Sequence, residues 1–276
     1  AGTAGAEVVL LHILERSAPA TVHGERHLTT LEEARVYLLD LAARPAMQGL
    51  RIETHAHEAP EGDVARSIVD HAGEERADLI VLCTHGHGRV RGLIFGSIAQ
   101  QVLRRGAGPV LLARVEHPHP TPVFPPRLIL VPLDGTPGAE GALGVAGDLA
   151  VLFGAGLHLV MVVPTVGTVR GDQAPTAPWM PRATEAVLAL EERDAAAYLE
   201  GIAEGWRGSG LPVTTEIRRG DVSAALVQET CEPDVGLVVI ATHGKSGLQA
   251  IWAGSVTARV LTQTGAPVLL LRSVDA

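Results

Sequence analysis

The sequence predicts an α/β protein built from two repeated domains, each an open parallel sheet with helices on both faces. Three observations carry this. First, the chain aligns with itself at one fixed offset: Gly62-Asp63-Val64 matches Gly220-Asp221-Val222, Thr84-His85-Gly86 matches Thr242-His243-Gly244, Gly96-Ser97 matches Gly254-Ser255, and Pro109-Val110-Leu111-Leu112 matches Pro267-Val268-Leu269-Leu270. Second, strand-like apolar runs alternate with helical stretches, the order that gives parallel strands joined by crossover helices. Third, 46% of residues are apolar but only 3% aromatic, so Ala, Val and Leu must fill the cores, as in Val-rich strands under Ala-rich helices. A length of 276 residues suits two such domains better than one.

In chain order, the first copy spans residues 1–115. Gly5-Ala6 realigns on Gly154-Ala155, so the second copy carries a longer loop between its second strand and the following helix, where insertions are tolerated. Projected backward, the partner of Leu128–Leu133 falls about twenty residues before Ala1, so the first copy is expected to lack its N-terminal strand and most of its first helix. That would leave two unpaired edges inside one sheet, which implies residues beyond those given or a strand supplied by another chain. Residues 116–127 form a linker, because the prolines from Pro118 to Pro126 remove backbone donors and favour an extended spacer.

The second copy, residues 128–276, reads as a strand at Leu128–Leu133, a helix at Pro137–Phe153, a strand at Leu157–Val163 and a long helix at Arg182–Trp206. A strand at Val213–Arg218, a helix at Asp221–Cys231, a buried strand at Gly236–Ala241, a helix at Ser255–Gln263 and a last strand at Val268–Leu271 follow. Right-handed crossovers leave few topologies for this order. The two terminal strands, Pro109–Ala113 and Pro267–Leu271, are apolar edges in need of a partner.

Composition excludes several functions. The net charge is -9 and no basic run appears, so nucleic acid is not an expected partner. Cys83 and Cys231 stand far apart with no C-x-x-C spacing, which signals neither a disulfide framework nor structural zinc and fits a reducing, cytoplasmic setting. No apolar stretch is long enough to span a membrane, and no signal-peptide pattern opens the chain.

The chemistry lies in Ala241-Thr242-His243-Gly244-Lys245-Ser246-Gly247 and the following Trp252-Ala253-Gly254-Ser255-Val256, with the twin Cys83-Thr84-His85-Gly86-His87-Gly88 and Phe95-Gly96-Ser97-Ile98. The spacing between Gly244 and Gly254 repeats between Gly86 and Gly96. A Gly-containing turn off a parallel strand lets backbone amides approach an anion. Gly-Ser at the next helix start adds donors, a hydroxyl and the positive end of the helix dipole. This describes a phosphate cradle, yet neither a Walker A loop nor the G-x-G-x-x-G dinucleotide fingerprint occurs.

On these residues the repeat resembles the universal stress protein family, whose domains carry G-x2-G-x9-G-[S/T] after the fourth strand; the resemblance covers essentially the whole chain as a tandem pair. It implies strand order 3-2-1-4-5, with a nucleotide crevice between the strands ending at Leu133 and Ala241. It also implies ATP, with Mg2+, as the cofactor. Thr242, Gly244, Lys245, Gly254, Ser255 and Val256 would surround the phosphates, Asp134 would meet the nucleoside, and Val162 and Val163 would line the adenine. In the first copy the corresponding residues are Thr84, Gly86, Gly96 and Ser97. The first Gly of the pattern is replaced by Ala241 and Cys83. The family's last strand pairs domains, which implies an intramolecular pseudo-dimer through the two terminal strands, with room for a homodimer.

Structural roles compete at several of these positions. Gly244 and Gly254 also suit a turn and a helix packing contact, Asp134 could cap the helix starting near Pro137, and Ser97 and Ser255 could be N-caps, a role compatible with phosphate binding. Asp63 and Asp221 read as helix caps. Among twelve histidines, His23 with His27, and His55 with His57 on one face of a strand, could offer imidazoles to a metal; solvated or hydrogen-bonded histidines are the preferred reading, since no Cys or helical H-x3-H supports a site, and no metal is expected. No G-x-S-x-G elbow or metal–carboxylate cluster accompanies the cradle, so the expectation is a regulatory adenine-nucleotide binding module with at most slow ATP hydrolysis. The alternatives are a nucleotide-free interaction protein and a His-based metal protein.

Overall fold

A computed structural model describes residues 2, 4–16, 21–22, 25–60, 63–84, 97–106, 108–114, 125–169, 179–242 and 256–272. In the first copy the elements are β1 (Glu7–Glu15), a short pair β2 (Thr21–Val22) and β3 (Glu25–Arg26), α1 (Leu31–Ala42), β4 (Arg51–Ala59), α2 (Val64–Glu74), β5 (Ile80–Thr84), α3 (Ser97–Arg105) and β6 (Val110–Arg114). The second copy follows with β7 (Leu128–Leu133), α4 (Pro137–Phe153), β8 (Gly156–Val163), α5 (Pro181–Gly208), β9 (Val213–Arg219), α6 (Val222–Glu229), β10 (Val235–Thr242), α7 (Val256–Gln263) and β11 (Val268–Arg272).

The chain divides into two compact units, residues 1–80 with 84–107, and residues 81–83 with 108–276. The second contains a seven-stranded sheet in the order β5-β6-β11-β10-β7-β8-β9. Its five second-copy strands therefore run 3-2-1-4-5 in copy numbering, all parallel. β7 is apolar at nearly every position because both its faces are covered, and Ile129, Leu130 and Val131 are fully buried. α4 and α5 cover one face of the sheet, with Ala142, Ala146, Ala150, Leu199 and Ala203 in the core; α6 packs on the other side and against α7. The small side chains of α4 let a helix sit close over Val-rich strands, which is how a core with so few aromatics is filled.

β6 pairs antiparallel with β11 through Val110↔Leu270, Leu111↔Leu269 and Leu112↔Val268, so the two terminal strands partner each other. In the first unit β1 and β4 form a separate two-stranded parallel sheet, from Glu7↔Arg51 to Glu15↔Ala59. Among the described residues the first copy has no strand standing where β7 stands in the second, so β1–β4 and β5–β6 belong to different sheets.

Several boundaries differ from the sequence expectation. α6 starts at Val222, because Asp221 is its cap, accepting from the Ala224 N–H at 3.1 Å. Asp63 sits at the same position before α2 but makes no side-chain cap bond, so its expected role is corrected. α5 is two residues longer at its C-terminal end than expected, reaching Gly208. The antiparallel β2–β3 pair, Thr21↔Arg26 and Val22↔Glu25, was not expected from the sequence.

Candidate functional site

β7 ends at Leu133 and is followed by Asp134-Gly135-Thr136. Gly135 has φ +79, the left-handed region that glycine enters without steric penalty. Thr136 caps α4, accepting from the Ala139 N–H at 3.3 Å, with Pro137 in the first turn. Asp134 is therefore not the cap of α4. Its Oδ1 accepts from the Thr136 N–H at 3.0 Å and the Thr136 hydroxyl at 2.6 Å, so it braces the residue that is. Asp134 itself is exposed at the carboxyl end of the sheet.

The neighbouring strand ends beside it. Recorded β7–β10 pairs run to Leu130↔Val238, ahead of Pro132, whose ring has no N–H to extend the ladder. Continued at the same register, Asp134 stands level with Thr242 at the end of β10. Because β8 lies on one side of β7 and β10 on the other, this is the switch point where crossovers turn in opposite directions and open α/β sheets hold ligands.

A cavity of about 400 Å3 opens at the end of β8, lined by Gly135, Met161, Val162, Val163, Pro164 and, from α5, Glu191, Asp194, Ala195 and Tyr198. Its floor is apolar: Val163 is buried and packs with Leu188 and Ala195. Its polar groups are acidic or neutral. Tyr198 donates to Glu140 Oε1 at 2.8 Å, and burial pushes its hydroxyl well above the ordinary phenol range, helped by that bond and by the charges of Glu140 and Asp134. Tyr198 therefore stays a neutral donor.

Of the expected nucleotide residues, Asp134, Val162 and Val163 gather at this end of the sheet, and Val256 opens α7 with its side chain half-buried. Thr242 and Thr84 end β10 and β5, and Ser97 begins α3. Gly244, Lys245, Gly254, Ser255, Gly86 and Gly96 lie outside the described residues, as does His23. Ala241, which replaces the first Gly of the motif, is half-buried and packs into the core under α4, where a Cβ placed on Gly141 would meet its methyl at 3.9 Å. The Ala241 methyl is therefore uncrowded on this side, where even an alanine at Gly141 would make only an ordinary contact.

The histidine pairs fare differently. His27 lies near His12, not His55: burial first, then the nearby His27, lowers the His12 imidazole below its ordinary value. His55 and His57 on β4 are joined by His71 from α2, and the coordinating atoms of the three all lie within 4.8 Å of one another. His71 was missed in the sequence because it sits on a different element, sixteen residues after His55. Burial first, then His55 and His57, holds its imidazole below the ordinary value, against the opposing pull of Glu75 and Glu74.

The sequence profile of the universal stress protein family matches residues 1–114 and again residues 126–272. The chain belongs to the universal stress protein family. This tandem universal stress protein is 26% identical to a universal stress protein of Mycolicibacterium smegmatis over 277 aligned residues, 97% of this chain and 87% of that one. It is 31% identical to one from Mycobacterium tuberculosis over 199 residues, 71% of this chain but 62% of that relative's length. Among solved structures, a universal stress protein from Archaeoglobus fulgidus shares the fold with a TM-score of 0.68 at 18% identity, covering 99% of this chain and 88% of that one. Among the described residues of this universal stress protein no helix is long and apolar enough to cross a membrane.

Proposed function

We propose that the second copy binds an adenine nucleotide, ATP with Mg2+, and that occupancy regulates the protein's conformation and partners. The observation that carries this is the cavity at the end of β8, beside Asp134 and at the sheet's switch point. Its volume and apolar floor suit a purine ring, and the mixture of an apolar pocket with few polar groups is usual for small-molecule sites. Asp134 and the acidic α5 side chains accept from ribose hydroxyls and the exocyclic amine. The phosphates would lie toward Thr242, Gly244, Lys245, Gly254 and Ser255, away from those carboxylates and on the amide-rich turn before α7. An acidic nucleoside side with the phosphates directed toward Lys245 would suit an asymmetric, highly anionic ligand. The first-copy residues Thr84, Gly86, Gly96 and Ser97 would form a weaker second cradle, since Cys83 is bulkier than Ala241 at the motif's first position. In this reading the protein is a binding module with at most slow hydrolysis.

Calorimetric titration with ATP and Mg2+ tests it. Saturable heat is expected, and it should be lost in Gly244→Ala and Ser255→Ala while the far-ultraviolet circular dichroism of the folded protein is unchanged. No heat at millimolar ATP from a folded protein overturns the reading and leaves the tandem as a nucleotide-free assembly protein.

A further inference from the structure

Outside the sheet end that the nucleotide reading uses, the first unit carries an unexplained polar cluster between β4 and α2. His55 and His57 project from alternate positions of β4 onto one face, and His71 reaches them from the α2 side. The ring centroids of His71 lie 4.8 Å from His55 and 4.9 Å from His57. His55 Nδ1 and His71 Nε2 face each other at 2.7 Å, and a single carboxylate oxygen, Glu75 Oε1, stands 3.6 Å from the first and 3.8 Å from the second. Each of these two rings turns its other nitrogen outward to a different carboxylate: His55 Nε2 is 3.4 Å from Glu53, and His71 Nδ1 is 3.7 Å from Glu74. His71 is only 8% exposed, so its inward nitrogen is largely shielded from water.

We propose that His55, His57 and His71, completed by Glu75, bind a divalent transition-metal ion of the zinc class. Two imidazole nitrogens at hydrogen-bond distance must share a proton or a cation; here the third imidazole, His57, lies in the same cluster, and the Glu75 carboxylate stands beside the His55–His71 pair. Bonds of about 2.0–2.1 Å in a tetrahedral zinc site place ligand atoms roughly 3.3 Å apart, inside the span from 2.7 Å to 4.8 Å that the cluster already covers. The outward carboxylates supply the partners that orient metal-bound histidines and raise their basicity. Three nitrogens and one oxygen, with no thiolate, suit Zn2+ and its nitrogen-preferring neighbours over Mg2+ or Ca2+.

The second copy shows that this is a property of the first. The repeat aligns His71 with Glu229. Glu229 is buried more deeply still, and it is satisfied within the chain, by Arg218 and by His158 Nε2 at 3.1 Å. Where the second copy closes a polar position under its helix with an internal ion pair, the first presents three imidazoles and a carboxylate with no cationic side chain among them. A bound ion would tie α2 to β4, the edge of the two-stranded sheet.

The test is titration of the untagged, metal-stripped full chain with Co2+, without nucleotide, followed by competition with Zn2+. One equivalent of Co2+ with the intense visible absorption of a tetrahedral site is expected, displaced by Zn2+. Each of His55→Asn, His57→Asn and His71→Asn should weaken binding about 100-fold or more, at least what loss of an outer-shell partner costs. His57 is exposed, so His57→Asn reports the site without threatening the fold. His27→Asn should bind as the parent does. Absence of the tetrahedral spectrum, or binding that survives His57→Asn and His71→Asn, overturns the proposal. Because ATP is absent from this experiment and the calorimetric variants lie in the second copy, the two readings stand or fall separately.

Discussion

Glu229 is a carboxylate with 1% exposure, held between Arg218 on β9 and His158 on β8. His158 is further fixed by the Thr214 hydroxyl at 2.8 Å. Removing a buried partner leaves the other charge uncompensated, but Arg218 is 39% exposed and regains water, so Glu229→Ala should cost about 2 kcal/mol, below the range for a fully enclosed pair. Urea unfolding followed by far-ultraviolet circular dichroism measures it, and an unchanged midpoint would show the ion pair to be absent in solution. At this scale the sequence was a partial guide. His55 and His57 share a strand face by simple alternation, which any reader of the chain can see. His71 could have been suspected only from its place on the amphipathic face of α2 turned toward the sheet, because contact across two elements has no fixed spacing in sequence. Asp63 and Asp221 share a motif yet only Asp221 caps, since a cap needs extended backbone at that residue: Asp221 has ψ 123, Asp63 ψ 8.

α4 shows how an element's glycines divide by environment. Its boundaries agree with expectation, but its cap is Thr136, where the sequence offers Asp134, and the left-handed Gly154 ends it. What the sequence does not distinguish is Gly144 from Gly147. A Cβ on Gly147 would overlap the Trp206 ring of α5, whereas one on Gly144 meets nothing within 4 Å. Gly147→Ala should therefore destabilise by about 1–2 kcal/mol, overpacking outweighing the gain in helix propensity. Gly144→Ala should stabilise by roughly 0.5–1 kcal/mol, having the gain alone. The opposite signs are the check, read from thermal midpoints of both variants; two equal shifts would contradict the close approach of α4 and α5 at Trp206. β7 makes a similar point for strands. Its Pro132 argues against a central strand on propensity, yet the strand is central, because the ladder to β10 ends at Leu130.

For the molecule as a whole, the seven-stranded sheet depends on β6, which lies between β5 and β11 and has partners on both sides. A proline there removes a ladder donor whichever way the N–H points, so Leu111→Pro should cost about 3 kcal/mol or more. Hydrogen exchange locates the effect: amides of β11 at Val268–Leu270 should lose protection while those of β7 and β8 keep theirs. Retained protection in β11 would mean that the terminal strands do not pair. The repeat, the strand–helix alternation, the linker composition and the motif spacing were fully determined by the sequence, because each is a property of the chain compared with itself or with the period of an element. The tertiary structure alone decided that β1–β4 separate from β5–β6, that Gly147 but not Gly144 lies against Trp206, and that His71 meets His55 and His57. These depend on which surfaces touch once helices lie on sheets, and packing contacts between elements distant in the chain leave no periodic trace in it.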